Sequence, residues 1–264
     1  MFPLSIQMPA IAATDEKTFV ERLKILNTYK FSGCELQILD FEKDNIAKIK
    51  SYTTEFNLQI TRIATGALAS RDKLYLSDSG EAGKNAVSLM KKFIDYAAEC
   101  NAAVIMGYIK GPANQNKQEA KKYFLQNLLE VSGFAMQAKV PLVLEATNRY
   151  ESCLANALAE AVEIVQEIKS PLMQILPDTY HMNIEEANTC AELWKYKDYF
   201  DTIHLSDNNR FLPGYGSINF KEIISALVSM KFSGFLSLEG NIKNSFADDV
   251  ALFSDLFSVI MRGI

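Results

Sequence analysis

Residues 141–151 read PLVLEATNRYE, a proline-led apolar run that ends on a carboxylate and breaks into a polar loop. The run has the length of a strand, and its shape recurs along the chain. Leu4–Met8, Cys34–Ile38, Gln59–Ala64, Ala103–Ile109, Pro141–Ala146, Met173–Leu176, Asp201–Leu205 and Phe235–Glu239 form a series of eight such segments. Segments of this kind suit parallel strands with helices packed on one side and side chains filling the other. The intervening stretches are amphipathic. Over 15–29, Phe19, Leu23 and Leu26 share one helical face, and Lys and Glu occupy the opposite face. The same period runs through 118–138, 153–169 and 219–230.

Local signals mark where helices begin and end. Asn183 with Glu186, and Asn219 with Glu222, have the spacing of an Asn-led capping box. Gly33, Gly234 and Pro141 stand where a helix must stop and the chain turn back into a strand. Eight strand–helix units in 264 residues allow 33 residues for each. A (β/α)8 barrel needs about 250 residues in all, so the expectation is a single α/β domain over 1–264, a (β/α)8 TIM barrel. A doubly wound sheet is the alternative. It is disfavoured because no Gly-x-Gly-x-x-Gly follows the first strand and because polar candidates end several separate strands.

Composition narrows the class of partner. The chain is 48% hydrophobic and 22% charged, which excludes a disordered polypeptide. A net charge of −5 offers no electrostatic footprint for nucleic acid. Cys34, Cys100, Cys153 and Cys190 lie far apart with no Cys-x-x-Cys pair, as expected of reduced thiols. No Lys or Arg precedes Lys17, so the apolar N-terminus lacks the basic start of a secretory signal. No run approaches the ~18 apolar residues of a membrane span. A soluble, cytoplasmic protein without a membrane partner is expected.

The chain has only two histidines, His181 and His204, and both stand in short acidic motifs at strand ends. Glu145, Asp178, His204 and Glu239 end the fifth to eighth strands. In a barrel, consecutive strand ends meet around one mouth, the face where barrel enzymes place their sites. Three carboxylates and one imidazole form an oxygen-rich set suited to one divalent ion, Mn²⁺ first, then Mg²⁺ or Co²⁺, with Zn²⁺ less well served. Without a cation the carboxylates would repel, and one would take up a proton.

Glu151, His181 and Arg210 lie just beyond three of these strand ends, where barrel loops carry substrate contacts. They could hold hydroxyl and carbonyl oxygens of a polyol. As structural alternatives, Glu151 caps the following helix and Arg210 pairs with Asp207. Arg149 is read as an ion-pair partner, and Lys110, after the fourth strand, as a solvated loop lysine.

At LEATNRYE (144–151), PDTYHMNIEE (177–186), IHLSDNNRFLPGYG (203–216) and GFLSLEG (234–240), the chain resembles the xylose isomerase-like barrel superfamily. The resemblance is to its sugar epimerase branch, which includes ketose 3-epimerases and keto-glycoside epimerases. It implies that Glu145, Asp178, His204 and Glu239 bind one divalent metal, and that Glu145 and Glu239 also exchange protons with a substrate carbon. It further implies that Glu151, His181 and Arg210 contact the sugar, and that the protein forms dimers or tetramers. The first half departs from the ketose 3-epimerases: Met8-Pro9-Ala10 lacks an aromatic contact, and Thr65 to Leu76 is short. The function expected is epimerisation of a ketose or keto-sugar through an enediolate. An aldose–ketose sugar (phosphate) isomerase and a polyol dehydratase are the alternatives on the same barrel. A multi-zinc AP endonuclease-like nuclease is disfavoured by the two histidines and the acidic balance.

Overall fold

Eight parallel strands wind into a barrel: β1 (Leu4–Pro9), β2 (Gly33–Gln37), β3 (Gln59–Ala64), β4 (Ala103–Met106), β5 (Leu142–Glu145), β6 (Met173–Leu176), β7 (Thr202–Leu205) and β8 (Phe235–Leu238). The structure is a computed structural model and describes residues 2–264. Neighbouring strands follow the order β6-β5-β4-β3-β2-β1-β8-β7, so the expected TIM barrel is present and its seam lies between β6 and β7.

That seam is closed sparingly. Pro177 follows β6 and has no N–H to give, so the ladder there can run only one way. The His204 N–H donates to the Pro177 carbonyl at 2.8 Å, beside an isolated bridge between Asp178 and His204. Thr179 extends the closure through its hydroxyl, which donates to the Ser206 carbonyl at 2.6 Å and accepts from the Ser206 N–H at 2.8 Å.

Strand alternation splits the side chains into two sets. Val104, Met106, Leu142 and Leu144 point outward and join the large core formed with the helices. Ala64, Ala103, Ile105, Val143 and Leu176 have the opposite parity and fill the barrel interior along β3 to β6. On the β7, β8 and β2 side the interior is polar instead, with buried Thr202, His204, Ser237 and Glu35. The site forms where this polar side meets the ends of β5 and β6.

Three helices form close to where the sequence places them: Glu16–Thr28, Lys117–Ala138 and Phe220–Ser229, the last with Asn219 accepting from the Glu222 N–H. Two expectations fail. Asn183 caps nothing; it lies inside the helix Thr179–Glu185, whose cap is Asp178. The helix expected over 153–169 begins only at Leu158, and its Leu158 N–H donates to the Glu186 carboxylate, 2.8 Å away. Glu186 therefore caps a neighbouring helix across the surface, a partner that local spacing cannot reveal. The four cysteines are unbridged, and no described helix is long and apolar enough to cross a membrane.

Gly234 marks the tightest return. A Cβ there would lie 1.9 Å from the Asp201 carbonyl oxygen and 2.6 Å from its carbon, backbone atoms that cannot rotate away. Gly234→Ala should lower unfolding stability by about 2 kcal/mol or more, measured by urea denaturation. Wild-type stability would show that β7 and β8 do not approach this closely.

Candidate active site and metal centre

The ends of β5, β6, β7 and β8 converge as expected. Glu145, Asp178, His204 and Glu239 each present one ligand atom, all within 4.8 Å of one another. The shared corner is His204 Nδ1, which lies 2.7 Å from Glu239 Oε2, 3.7 Å from Glu145 Oε1 and 3.8 Å from Asp178 Oδ2. These groups are buried, Glu239 less deeply than the others. Gly107 makes room for Glu145, since a Cβ there would come within 2.2 Å of Glu145 Oε2.

A divalent ion fits this donor set. Glu145 Oε1 is buried without a hydrogen-bond partner, which is costly unless another ligand or a cation meets it. Asp178 spends Oδ1 on the Tyr180 N–H at 2.7 Å and keeps Oδ2 toward the cluster. On the far edge of the His204 ring, Nε2 lies 2.8 Å from Glu35 Oε2. A carboxylate behind a histidine in this way orients the ring and raises the basicity of the nitrogen facing a metal.

Electrostatics in the cluster follow from burial and from two cations. Burial works against charge on His204, but Glu35 and Glu239 outweigh it and hold the imidazole well above its ordinary value. Burial likewise opposes Glu239, yet Arg210 and His204 keep it well below the usual carboxylate range. Asp178 is raised because burial exceeds the pull of Arg210 and His181. The protein thus supplies positive charge where three acids crowd together.

Arg210 reaches the site more directly than expected. Its guanidinium contacts Asp178 Oδ2 at 2.7 Å and Glu239 Oε1 at 2.9 Å, and it lies over the Tyr180 ring at 4.9 Å. The expected alternative, a pair with Asp207, is not formed. Asp207 instead accepts from the backbone N–H groups of Asn208, Gly214, Gly216 and Ile218 and so organises the loop after β7. That loop holds Arg210 at φ 62°, a left-handed backbone uncommon outside glycine.

His181 and Glu151 meet through a residue that sequence reading passed over. The Asn148 side-chain N–H₂ donates to Glu151 Oε1 at 3.0 Å and to His181 Nδ1 at 2.8 Å. Its oxygen accepts from the Tyr150 N–H, which fixes the amide orientation. His181 Nδ1 is then the acceptor, leaving Nε2–H to face Glu145 Oε1, 3.8 Å away. Burial lowers the imidazole below its ordinary value, so His181 is a neutral donor. Glu151 does not cap the next helix, whose N-cap position is Ala157 and whose Leu158 N–H is met by Glu186. Arg149 forms an ion pair, as expected, and its partner is Glu185.

Lys110 corrects the sequence reading most sharply. It is fully buried, and its ammonium donates to the Glu145 carbonyl at 2.9 Å and the Thr147 hydroxyl at 2.7 Å. A solvated loop lysine was expected; the 3-10 turn Tyr108–Lys110 folds it inward instead. Glu35 was missed as well. Its only signal is a lone acid inside the apolar run 34–38.

Burial pushes the Lys110 ammonium down to about 8. Between that value and the ordinary 10.5 the unfolded chain holds a proton that the folded chain has released. Stability from this group therefore rises with pH across the window, by up to about 1.4 kcal/mol per pH unit. Lys110→Met should remove about 1 kcal/mol per unit of that slope near pH 9, read from urea unfolding at stepped pH. Equal slopes in both proteins would contradict the buried ammonium.

The comparisons with known proteins agree with this architecture. The family described as a xylose isomerase-like TIM barrel matches residues 23–256. The D-psicose 3-epimerase of Enterocloster bolteae is 29% identical over 233 residues, covering 85% of this chain and 76% of that protein. The 3-dehydro-D-guloside 4-epimerase of Escherichia coli (strain K12) is 32% identical over 123 residues, 47% of each chain. Among solved structures, an L-ribulose 3-epimerase has a TM-score of 0.86 at 20% identity, covering 100% of this chain and 95% of that one. The 3-keto-D-glucoside 4-epimerase of E. coli has a TM-score of 0.81 at 22% identity, covering 99% and 100%. At these identities the structural likeness speaks for the fold. The chain belongs to the xylose isomerase-like TIM barrel family.

Proposed function

We propose that this protein is a divalent-metal-dependent epimerase of a ketose or keto-sugar. The reading is carried by one observation: Glu145 and Glu239, from β5 and the end of β8, approach the same His204 nitrogen at 3.7 and 2.7 Å. Two carboxylates delivered by separate strands to one small volume suit removal of a proton from one face of a carbon and return to the other. The named activities of the relatives, D-psicose 3-epimerase and 3-dehydro-D-guloside 4-epimerase, support the same chemistry. The cytoplasmic setting expected of unbridged cysteines belongs to this reading.

Glu145, Asp178, His204 and Glu239 would hold the ion, with Mn²⁺ the first choice for an oxygen-rich set. When bound, it would polarise the substrate carbonyl and a neighbouring hydroxyl and so stabilise the enediolate. The chain's own groups do the rest. One of Glu145 and Glu239 takes the proton from the carbon beside the carbonyl, and the other delivers a proton to the opposite face. In the reverse direction their roles exchange. His181, neutral with Nε2–H toward the site, donates to a substrate oxygen, and Glu151 accepts from a hydroxyl. Arg210 supplies a fixed positive charge close to where the enediolate forms. Glu35 holds the His204 ring in place without touching substrate.

Epimerisation in heavy water should place one solvent deuterium at the inverted carbon, with no change in product mass beyond that exchange. Glu145→Gln or Glu239→Gln should reduce turnover at least about 10³-fold; full activity in either variant would end the proposal. A hydride-shift isomerase would leave the migrating hydrogen unexchanged, and a dehydratase would lose one water. Titration calorimetry should find one Mn²⁺ per chain. Glu35→Gln should weaken that affinity about 10–100-fold, and an unaltered constant would exclude its positioning role.

A further inference from the structure

Two hollows flank the proposed reaction centre and share a wall. Gln7, Gln37, Arg210 and Glu239 line both, and the Gln37 amide donates to Gln7 Oε1 at 2.6 Å. The smaller hollow, about 230 Å³, contains Glu145, Glu151 and His181 and is the space the epimerase reading uses. The larger, about 380 Å³, opens over β1 and the segment after β8, where Met8, Arg22, Asn241 and Phe246 wall it. The proposed chemistry assigns nothing to this second space.

Arg22 stands out among the six arginines. Arg62, Arg71, Arg149, Arg210 and Arg262 each donate hydrogen bonds to protein acceptors. Among the described residues Arg22 donates to none and has no carboxylate within salt-bridge distance, although it is half-buried. Its guanidinium lies over the Phe246 ring at 5.1 Å, which restrains its plane beside the hollow. Asp15, whose charge reaches Arg22, is occupied by the Thr18 N–H and hydroxyl at 2.8 and 2.9 Å. The one acid on the hollow's walls is Glu239, already held by Arg210 and His204. An incoming anion would therefore meet an unspent planar fork of donors and no free carboxylate. Such a fork matches carboxylate or phosphate oxygens two at a time.

We infer that the second hollow is a subsite for an anionic group, carboxylate or phosphate, borne on a unit attached to the reacting keto-sugar, and that Arg22 is its receptor. The inference rests on the epimerase reading for the first hollow. It makes the substrate an acidic glycoside and not a free ketose. The attached unit lies across the Gln7–Gln37 pair, with its anion against Arg22 and the Asn241 amide.

Three 3-keto-β-D-glucosides of near-equal shape test this: p-carboxyphenyl, p-phosphonophenyl and the neutral p-carbamoylphenyl. Their binding to Mn²⁺-loaded protein is measured by titration calorimetry, and their exchange of hydrogen with heavy water is followed in parallel. In wild type at least one acidic ligand should bind about tenfold or more tightly than the neutral one, and the tighter of the two identifies the oxyanion. Arg22→Met should abolish that margin, and Arg22→Lys should retain part of it. Equal affinities in wild type, a margin that survives Arg22→Met, or failure of all three to bind would overturn the subsite. A charge-dependent margin without deuterium exchange would leave the subsite standing and sink the epimerase reading, while exchange without a margin would do the reverse.

Discussion

Three carboxylates in one buried corner repel one another and lose the solvation that would screen them. Everything at the barrel mouth is arranged around that constraint. His204 presents one nitrogen to all three acids, Arg210 clamps Asp178 and Glu239 from the side, and Glu145 keeps an oxygen with no protein partner. The protein compensates part of the charge and leaves the remainder for a ligand. A corner organised this way leaves a buried carboxylate oxygen unmet and suits a cation, which is why the donor set points to a metal more strongly than any single residue does.

The same corner coincides with the weakest line of the barrel. The β6–β7 seam is held by the His204 N–H to Pro177, the bridge beside it and the Thr179 hydroxyl. Asp178 caps the short helix after β6 with one carboxylate oxygen and faces the cluster with the other. Closing the barrel and assembling the site are therefore the same event for these residues. A substitution at either position alters both, and its effects on stability and activity will not separate cleanly.

Behind the cluster, support comes from residues with no outward sign of function. Glu35 fixes the far nitrogen of His204, Asn148 sets the tautomer of His181 and ties it to Glu151, and Asp207 gathers four backbone N–H groups to aim Arg210. Lys110 ties the Glu145 carbonyl to Thr147 from beneath. Each acts through another side chain or the backbone. Acids that face the cluster are thus held in place by buried polar groups behind them, which act on aim alone.

Strand number, strand order and the four converging side chains could be read directly, because apolar runs of strand length repeat along the chain and a barrel makes successive strands neighbours. Arg149 could be read as an ion-pair residue without its partner Glu185, and Glu145, Asp178, His204 and Glu239 followed from that topology. Lys110, Glu35 and Glu186 did not. A lysine after a strand looks solvated until a 3-10 turn folds it inward. An acid inside an apolar run has no partner in its own segment, and the carboxylate that starts the helix at Leu158 lies 28 residues further along the chain. Periodicity and capping are local, encoded within a few residues of one another. Pairing of buried charge is set by which strand ends face across the barrel, and only the folded chain decides that.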